Sequence, residues 1–335
     1  MYVLKQLPED FIVREISNIQ CKDNDKYIYF QLKKREMNTL DAVKLLARVF
    51  NVSEKNIGFA GSKDKNAITT QVCSIQGISK EQLLGSQLKY IGIELLGYGD
   101  QPISLGDLEG NYFEIIIRNL GQEKMKEVKA IINYFDEQRF SKNNVKIGKH
   151  IVKKEFKEAV KLIDEDICTI HLQERANDYI GALKKLPLRL LRLYINAYQS
   201  YIWNKTVAEF LGKEGKKMSY SLGELVFVDK SERFLEMEIP IIGFLELEDY
   251  NNDIVKGIIS RIMQQEGIEY GDFVIKQIPQ LSLEGGLRSI AVEVKNLVIG
   301  TGEDDELNIR KRKVRISFSL GKGSYATMVI KTIFL

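Results

Sequence analysis

Strand patterns gather at the two ends of this sequence and helical patterns fill its middle, an order that few folds accommodate. Near the N-terminus, Tyr27-Ile28-Tyr29-Phe30-Gln31-Leu32 is rich in aromatic and branched residues and predicts a strand ending in Lys33-Lys34-Arg35. Asn38-Thr39 supplies an N-cap for a helix carrying Ala42, Val43, Leu45, Leu46, Val49 and Phe50 at helical spacing. Residues 72–75 and 112–118 predict further strands, the second with Ile115-Ile116-Ile117 suited to burial on both faces. Residues 123–134, 156–163, 188–211 and 254–265 read as helices, and 222–244 as a compact β-like portion. Strand patterns return at 290–294, 314–320 and 326–330. The 335 residues exceed the roughly 250–300 beyond which single cores split, so two domains are expected. Strand-rich ends around a helical middle arise when one domain is inserted into a loop of another, although two domains in tandem give a similar profile.

Several function classes drop out on composition. Lys plus Arg number 49 against 46 for Asp plus Glu, a net charge of +3 that does not by itself announce a nucleic-acid binder. Any RNA surface must come from local clusters such as Lys33-Lys34-Arg35, Lys63 with Lys65, the stretch from Lys142 to Lys154, and Arg310-Lys311-Arg312-Lys313 with Arg315. That last cluster is equally a solvated charged strand balanced by Glu303-Asp304-Asp305-Glu306. Cys21, Cys73 and Cys168 are odd in number and far apart, which argues for a reducing compartment and against a disulfide framework. With His150 and His171 the only histidines, no metal-ligand spacing is present and no metal is expected. The sequence holds no 18-residue uncharged apolar run, and charge at Lys5 leaves no room for a signal-peptide apolar region. The expectation is a cytosolic protein, monomeric because no self-association signal appears.

The segment that carries chemistry is Ile57-Gly58-Phe59-Ala60-Gly61-Ser62-Lys63-Asp64-Lys65-Asn66-Ala67-Ile68-Thr69-Thr70-Gln71. A glycine-bounded loop sets one carboxylate between two lysines. Nearby cations favour an ionised carboxylate, which can act as nucleophile or proton acceptor close to phosphate. On chemistry alone the commoner reading is a solvated turn of alternating charges. Phosphate-cradle motifs fail, since the Gly-Lys pairs at 148, 212, 215 and 321 lack the earlier glycine of a P-loop and a following Ser or Thr. No G-x-S-x-G elbow is present.

The same segment closely resembles the catalytic motif of the pseudouridine synthase D (TruD) family, Gly-x-Lys-Asp-x-x-Ala-x-Thr-x-Gln, matched by Gly61, Lys63, Asp64, Ala67, Thr69 and Gln71. Other family elements follow in order over nearly the whole chain. They are Pro8-Glu9-Asp10-Phe11-Ile12-Val13, Asn38-Thr39, Gly110-Asn111-Tyr112-Phe113, Asn133-Tyr134-Phe135-Asp136-Glu137-Gln138-Arg139-Phe140, Ala197-Tyr198-Gln199-Ser200-Tyr201 and Gly323-Ser324-Tyr325-Ala326-Thr327. Asp136 stands where the family more often has glycine, and Asn66 where some members carry a histidine or a basic residue.

The resemblance implies an α+β fold. A pseudouridine synthase catalytic domain with a mainly antiparallel central sheet, residues 1–145 and 290–335, would carry an inserted, mostly helical TRUD-specific α/β domain, residues 146–289. It implies a tRNA pseudouridine synthase that isomerises a flipped-out uridine, at position 13 of the D arm, with no cofactor and no metal. Asp64 would be the catalytic carboxylate, either attacking covalently or taking a proton from the sugar, and Lys5 would pair with it. Phe113 would pack on the target base, Phe11 and Tyr325 would flank it, and Asn111 would read the uracil edge. Without the resemblance, Phe11 and Phe113 read as core, Asn111 as a turn residue, Tyr325 as a strand residue and Lys5 as an exposed lysine. Lys33, Lys34, Lys63, Lys65 and Arg139 are expected on the RNA backbone. The alternatives are the same chemistry on another tRNA position or another RNA, a catalytically silent RNA-binding relative, and a base-excising glycosidase.

Overall fold

Ile28, Phe30 and Leu32 alternate with Tyr29, Gln31 and Lys33, the period-2 pattern that turns one set of side chains to a single face of a strand. In the computed structural model this strand belongs to a nine-stranded sheet. Residues 2–86, 88–122, 124–141, 143–212 and 215–335 are described; Glu123, Lys142 and Lys213, which the sequence readings included, fall outside the described residues. Numbered along the chain, the strands of the sheet are β1 (Phe11–Ile16), β2 (Tyr27–Arg35), β3 (Ile57–Phe59), β4 (Ile68–Ile75), β5 (Ile91–Gly99), β6 (Gly110–Leu120), β7 (Lys295–Ile299), β8 (Glu303–Asp304) and β9 (Arg312–Gly321). Their order is β7-β9-β6-β1-β4-β2-β5, with β3 beside β4 and β8 beside β9. β1 and β4 run parallel and the other pairs antiparallel.

Helix α1 (Thr39–Val49) begins where the sequence predicts, with the Asn38 Oδ1 accepting from the Asp41 N–H at 2.8 Å. Its apolar stripe, Ala42, Val43, Leu46 and Ala47, packs on Ile28, Phe30 and Leu32 of β2 and on Cys73 and Ile75 of β4. A short α2 (Lys80–Leu84) adds Leu83 to the same core.

The chain leaves this first unit after Lys129 and re-enters it at Glu293, running there to Ala326, with Phe334 also grouped in it. The returning β9 pairs with β6 from Asn111↔Leu320 to Ile117↔Val314. The intervening second unit holds α3 (Glu137–Phe140), α4 (Asn144–Val152), α5 (Phe156–Leu162), α6 (Asp166–Glu174), α7 (Tyr179–Lys184), α8 (Leu188–Leu211) and α9 (Asp253–Glu266). Its strands include the hairpin Lys216–Tyr220 with Gly223–Phe227, and Glu238–Ile241 paired with Gly286–Ser289. Helix α8 is buried on most of its circumference, so its polar groups need partners inside. The Gln199 Nε2 donates to the Ile242 carbonyl at 2.6 Å and the Trp203 Nε1 to the Ile239 carbonyl at 3.1 Å. Asn204 brackets Phe135, accepting from its N–H at 3.0 Å and donating to its carbonyl at 2.8 Å. Among the described residues, no helix is long and apolar enough to cross a membrane.

Two sequence expectations are corrected. Residues 326–330, read as a strand, form α10 (Ala326–Ile333): Ala326, Val329, Ile330 and Ile333 are buried at helical spacing, and a short apolar run carries no period of its own to separate the two. Residues 124–134 are not helical, and Ala130–Ile132 is a buried three-residue strand. Residues 130–145 and 327–333 group with the second unit.

Candidate active site

The Asp64 loop spans the gap between β3 and β4, and the residues matching the motif build its floor. The Thr39 Oγ1, on the first turn of α1, accepts from the Lys63 N–H at 2.9 Å and donates to the Gln71 Oε1 at 2.9 Å. The Gln71 Nε2 then donates to the Gly61 carbonyl at 3.1 Å. Thr39 and Gln71 are buried, so every bond in this chain replaces a water that cannot enter. Ala60 and Ala67 close the loop at its ends with buried methyl groups, and the Ala67 carbonyl accepts from the Glu36 N–H at 3.3 Å.

Lys63 and Lys34 do not point to solvent. The Lys63 ammonium lies 2.5 Å from the Glu15 Oε2, and Glu15, whose side chain is fully buried on β1, also accepts from the Val72 N–H at 3.1 Å. Lys34 is 1% exposed, and its ammonium donates to the carbonyls of Met37 at 2.5 Å, Asp64 at 2.9 Å and Lys63 at 3.4 Å. Burial pushes the Lys34 ammonium down to about 8, against the smaller opposing pull of the Asp64 charge. The reading of these two lysines as RNA-backbone contacts is therefore corrected: both cations are spent inside the protein. Lys33 and Lys65 are exposed.

The Asp64 carboxylate finds its cation elsewhere. Its Oδ2 is 2.6 Å from the Lys5 Nζ, with each side chain about a quarter exposed, which joins two residues 59 positions apart. The Lys5 ammonium also sits 4.0 Å from the centre of the Phe11 ring, whose face favours a cation. Lys5 has φ +56°, a left-handed backbone that costs a non-glycine residue on the order of 1–3 kcal/mol and persists only under constraint. The constraint is visible on both sides. Val3 exchanges two backbone hydrogen bonds with Arg118 of β6, and the Leu7 N–H bonds the Asp10 carboxylate at 2.8 Å. Arg118 is itself buried between Asp10 and Asp305, both at 2.9 Å.

Next to this pair lies an aromatic floor. Phe113 of β6 is registered between Val13 of β1 and Phe318 of β9. Its ring meets Phe11 edge-on at 6.2 Å and Phe318 at 5.5 Å between centroids. Phe11 and Phe113 are both buried, as core residues would be. Asn111, two residues before Phe113 and on the same face of β6, has its Oδ1 buried with no hydrogen-bond partner. Leaving such an acceptor unpaired costs about 1–3 kcal/mol. The Ser324 Oγ, beside half-buried Tyr325, is likewise buried without a partner. The glycine before Asn111 has a steric reason: a Cβ on Gly110 would stand 2.2 Å from the Leu320 carbonyl oxygen across the strand pair.

Arg139 lies in the second unit, half-buried on α3, with its Nε 3.3 Å from the Ser200 Oγ and its guanidinium 5.7 Å from the Phe135 ring. The same unit holds an arginine that the sequence reading did not single out. Arg288 stacks 4.0 Å over Phe135 and donates to both the carbonyl and the Oδ1 of Asn133 at 2.8 Å. Asp136, which departs from the family glycine, has gained partners in α10: Lys331 at 2.6 Å and the Thr327 hydroxyl. The basic strand β9 is partly neutralised by its neighbours, with Lys313 2.5 Å from Glu306 and Arg315 paired with Glu114. Glu15, Thr39 and Gln71 were also missed as site residues. A lone Glu in the apolar β1 pattern was the available signal for the first. Among the described residues, no group of three or more His, Cys, Asp or Glu side chains could hold a metal ion.

Comparison with known proteins identifies a family. The family model for tRNA pseudouridine synthase D (TruD) matches residues 2–170 and 164–333. A tRNA pseudouridine synthase D of Aquifex aeolicus is 29% identical, the match covering 99% of this chain and 97% of that protein. A Methanococcus maripaludis protein named "Probable tRNA pseudouridine synthase D 1" is 31% identical, covering 98% of each. A crystal structure of a Methanosarcina mazei chain assigned to tRNA pseudouridine synthase D superposes with a TM-score of 0.67 at 26% identity, covering 99% of this chain and 93% of that one.

Proposed function

Since the chain belongs to the tRNA pseudouridine synthase D (TruD) family, we propose that it converts a flipped-out uridine of tRNA, uridine 13 of the D arm, to pseudouridine with Asp64 as the catalytic carboxylate. The observation that carries this reading is the Lys5–Asp64 pair at 2.6 Å, partly open to solvent and bordered by Phe11. Isomerisation breaks the bond from the sugar C1′ to N1 of uracil, turns the base, and forms a bond from C1′ to C5. The C5 hydrogen is lost and N1 gains one, so the overall reaction needs no oxidant or outside group. Asp64 assists the first step by adding to C1′ or by taking a proton from C2′; both roles need an aimed carboxylate. Asn111 is suited to the uracil edge because its unpaired Oδ1 would accept from the N3–H of the flipped base. Phe113 and Phe11 form the apolar wall against which that base packs, with Tyr325 closing it.

Unmodified tRNA transcripts incubated with the protein and mapped for pseudouridine test the proposal. Wild type converts one uridine, at position 13, Asp64→Asn converts none, and chelation leaves the wild-type rate unchanged. Free uracil without pseudouridine would point to a glycosidase instead, and conversion at another uridine would move the target while leaving the chemistry intact. Binding without conversion by wild type would overturn the enzymatic reading.

A further inference from the structure

Lys34 leaves β2 on the same face as Phe30 and Leu32 and ends beneath the Asp64 loop, where nothing in RNA can reach it. An ammonium has three hydrogens, and three main-chain carbonyls receive them, those of Met37, Asp64 and Lys63. The titratable groups around it are Asp64 and Lys63 from the loop and the Cys73 thiol from β4, which burial keeps protonated and neutral. Lys63 is itself neutralised by Glu15 of β1. A methionine would fill the same space without desolvating a charge, so a buried lysine here marks a use for the ammonium.

We propose that Lys34 is a positioning residue for catalysis, whose ammonium fixes the main chain at Asp64 so that the carboxylate keeps the direction in which Lys5 meets it. The inference rests on the reading of Asp64 as the catalytic carboxylate. The two lysines hold the residue from opposite ends, Lys5 at the side-chain oxygen Oδ2 and Lys34 at the backbone carbonyl oxygen. Three bonds from one charged group stiffen the turn in the way a single neutral donor does not. An aspartate whose backbone drifts by an ångström loses its approach to the sugar while the RNA surface is untouched, so the loss falls on the rate and not on binding. Deprotonation leaves an amine with two hydrogens for three acceptors, which gives the enzyme an alkaline limit set by Lys34.

The test measures single-turnover pseudouridine formation at saturating tRNA from pH 6 to 9.5, with tRNA affinity, for wild type, Lys34→Met, Lys34→Gln and Asp64→Asn. The expected wild-type rate falls above about pH 8, where Lys34 titrates. Both Lys34 variants lose at least tenfold in rate at pH 7, keep tRNA affinity within threefold, and show no fall above pH 8. Wild-type rates in the variants, or a rate loss matched by lost affinity, would overturn the proposal, as would an alkaline limb that persists without Lys34. Should Lys34→Met fail to fold, Lys34→Gln and the wild-type profile decide, and a wild-type rate flat to pH 9.5 counts against the proposal. If wild type makes no pseudouridine, the reading of the site falls and this inference with it. If wild type is active, Asp64→Asn is dead and the Lys34 variants are normal, only this inference fails.

Discussion

Lys33 and Lys34 are neighbours with opposite fates, one exposed and one buried among backbone carbonyls. The fold keeps the second at a cost. Moving an ammonium from 10.5 to about 8 corresponds to roughly 3 kcal/mol of lost stability, present below about pH 8 and relieved as pH rises toward 10.5. Lys5 is held differently, by an ion pair that stays partly wet, so its removal should cost rate more than fold. Lys5→Ala is expected to lower kcat for pseudouridine formation by about 10- to 100-fold, the 1.4–2.8 kcal/mol scale of one charge-assisted hydrogen bond. Thermal unfolding should change little, and an unaltered kcat would remove Lys5 from the site. At this scale, a few side-chain contacts were legible. Asp64, Lys5, Phe11, Asn111 and Phe113 were named from motif matches; contacts link Asp64 to Lys5, Lys5 to Phe11 and Phe11 to Phe113, and Asn111 lies two residues before Phe113 on the same strand face. Lys34 was misread because charge was taken as exposure, although its phase with Phe30 and Leu32 already aimed it inward. Lys63 gave no such signal, since a loop residue has no period and its partner Glu15 is 48 positions away.

Elements were read best where a period ran long and worst where an apolar run was short. Helix α1 and the 24-residue α8 were visible from their spacing and, for α1, its cap. Residues 326–330 and 124–134 failed because a few adjacent apolar residues satisfy either period, and tertiary packing chose. Glycines show the same contrast between what sequence offers and what packing demands. Gly148 in α4 lets the helix approach α8 so closely that a Cβ would stand 2.1 Å from the Tyr194 carbonyl oxygen. Gly257 in α9 faces open space. Gly148→Ala should force the helices apart at a cost of at least about 1–3 kcal/mol, whereas Gly257→Ala should stabilise by about 0.5–1 kcal/mol. At about 2–4 °C per kcal/mol the melting temperatures of the two variants move in opposite directions. Equal shifts in calorimetry would contradict the helix contact.

On the scale of the whole chain, the strand-rich ends proved to be one sheet, because β9 pairs with β6 across the inserted 130–292. The compact units divide at 129/130, beside the buried strand Ala130–Ile132, and at 292/293, within the strand Ala291–Glu293, and strands of three residues are too short to carry a legible period. Charge follows the same logic. A net +3 gives almost no long-range attraction, and several lysines and arginines counted in it are paired internally, including Lys34, Lys63, Arg118, Lys313 and Arg315. Binding of tRNA would then rest on where exposed cations are placed rather than on net charge, and Lys33 and Lys65 are two that the site's own elements carry. Each phosphate neutralised contributes about −0.9 to the slope of log affinity against log salt in duplex DNA and about −0.7 on single strands. Removing both by Lys33→Ala with Lys65→Ala should make the slope for tRNA shallower by about 1.4–1.8 between 50 and 200 mM salt. The rate at saturating tRNA should be preserved, the reverse of the pattern expected for Lys34. Binding titrations across that salt range decide it, and an unchanged slope would mean that RNA is gripped elsewhere.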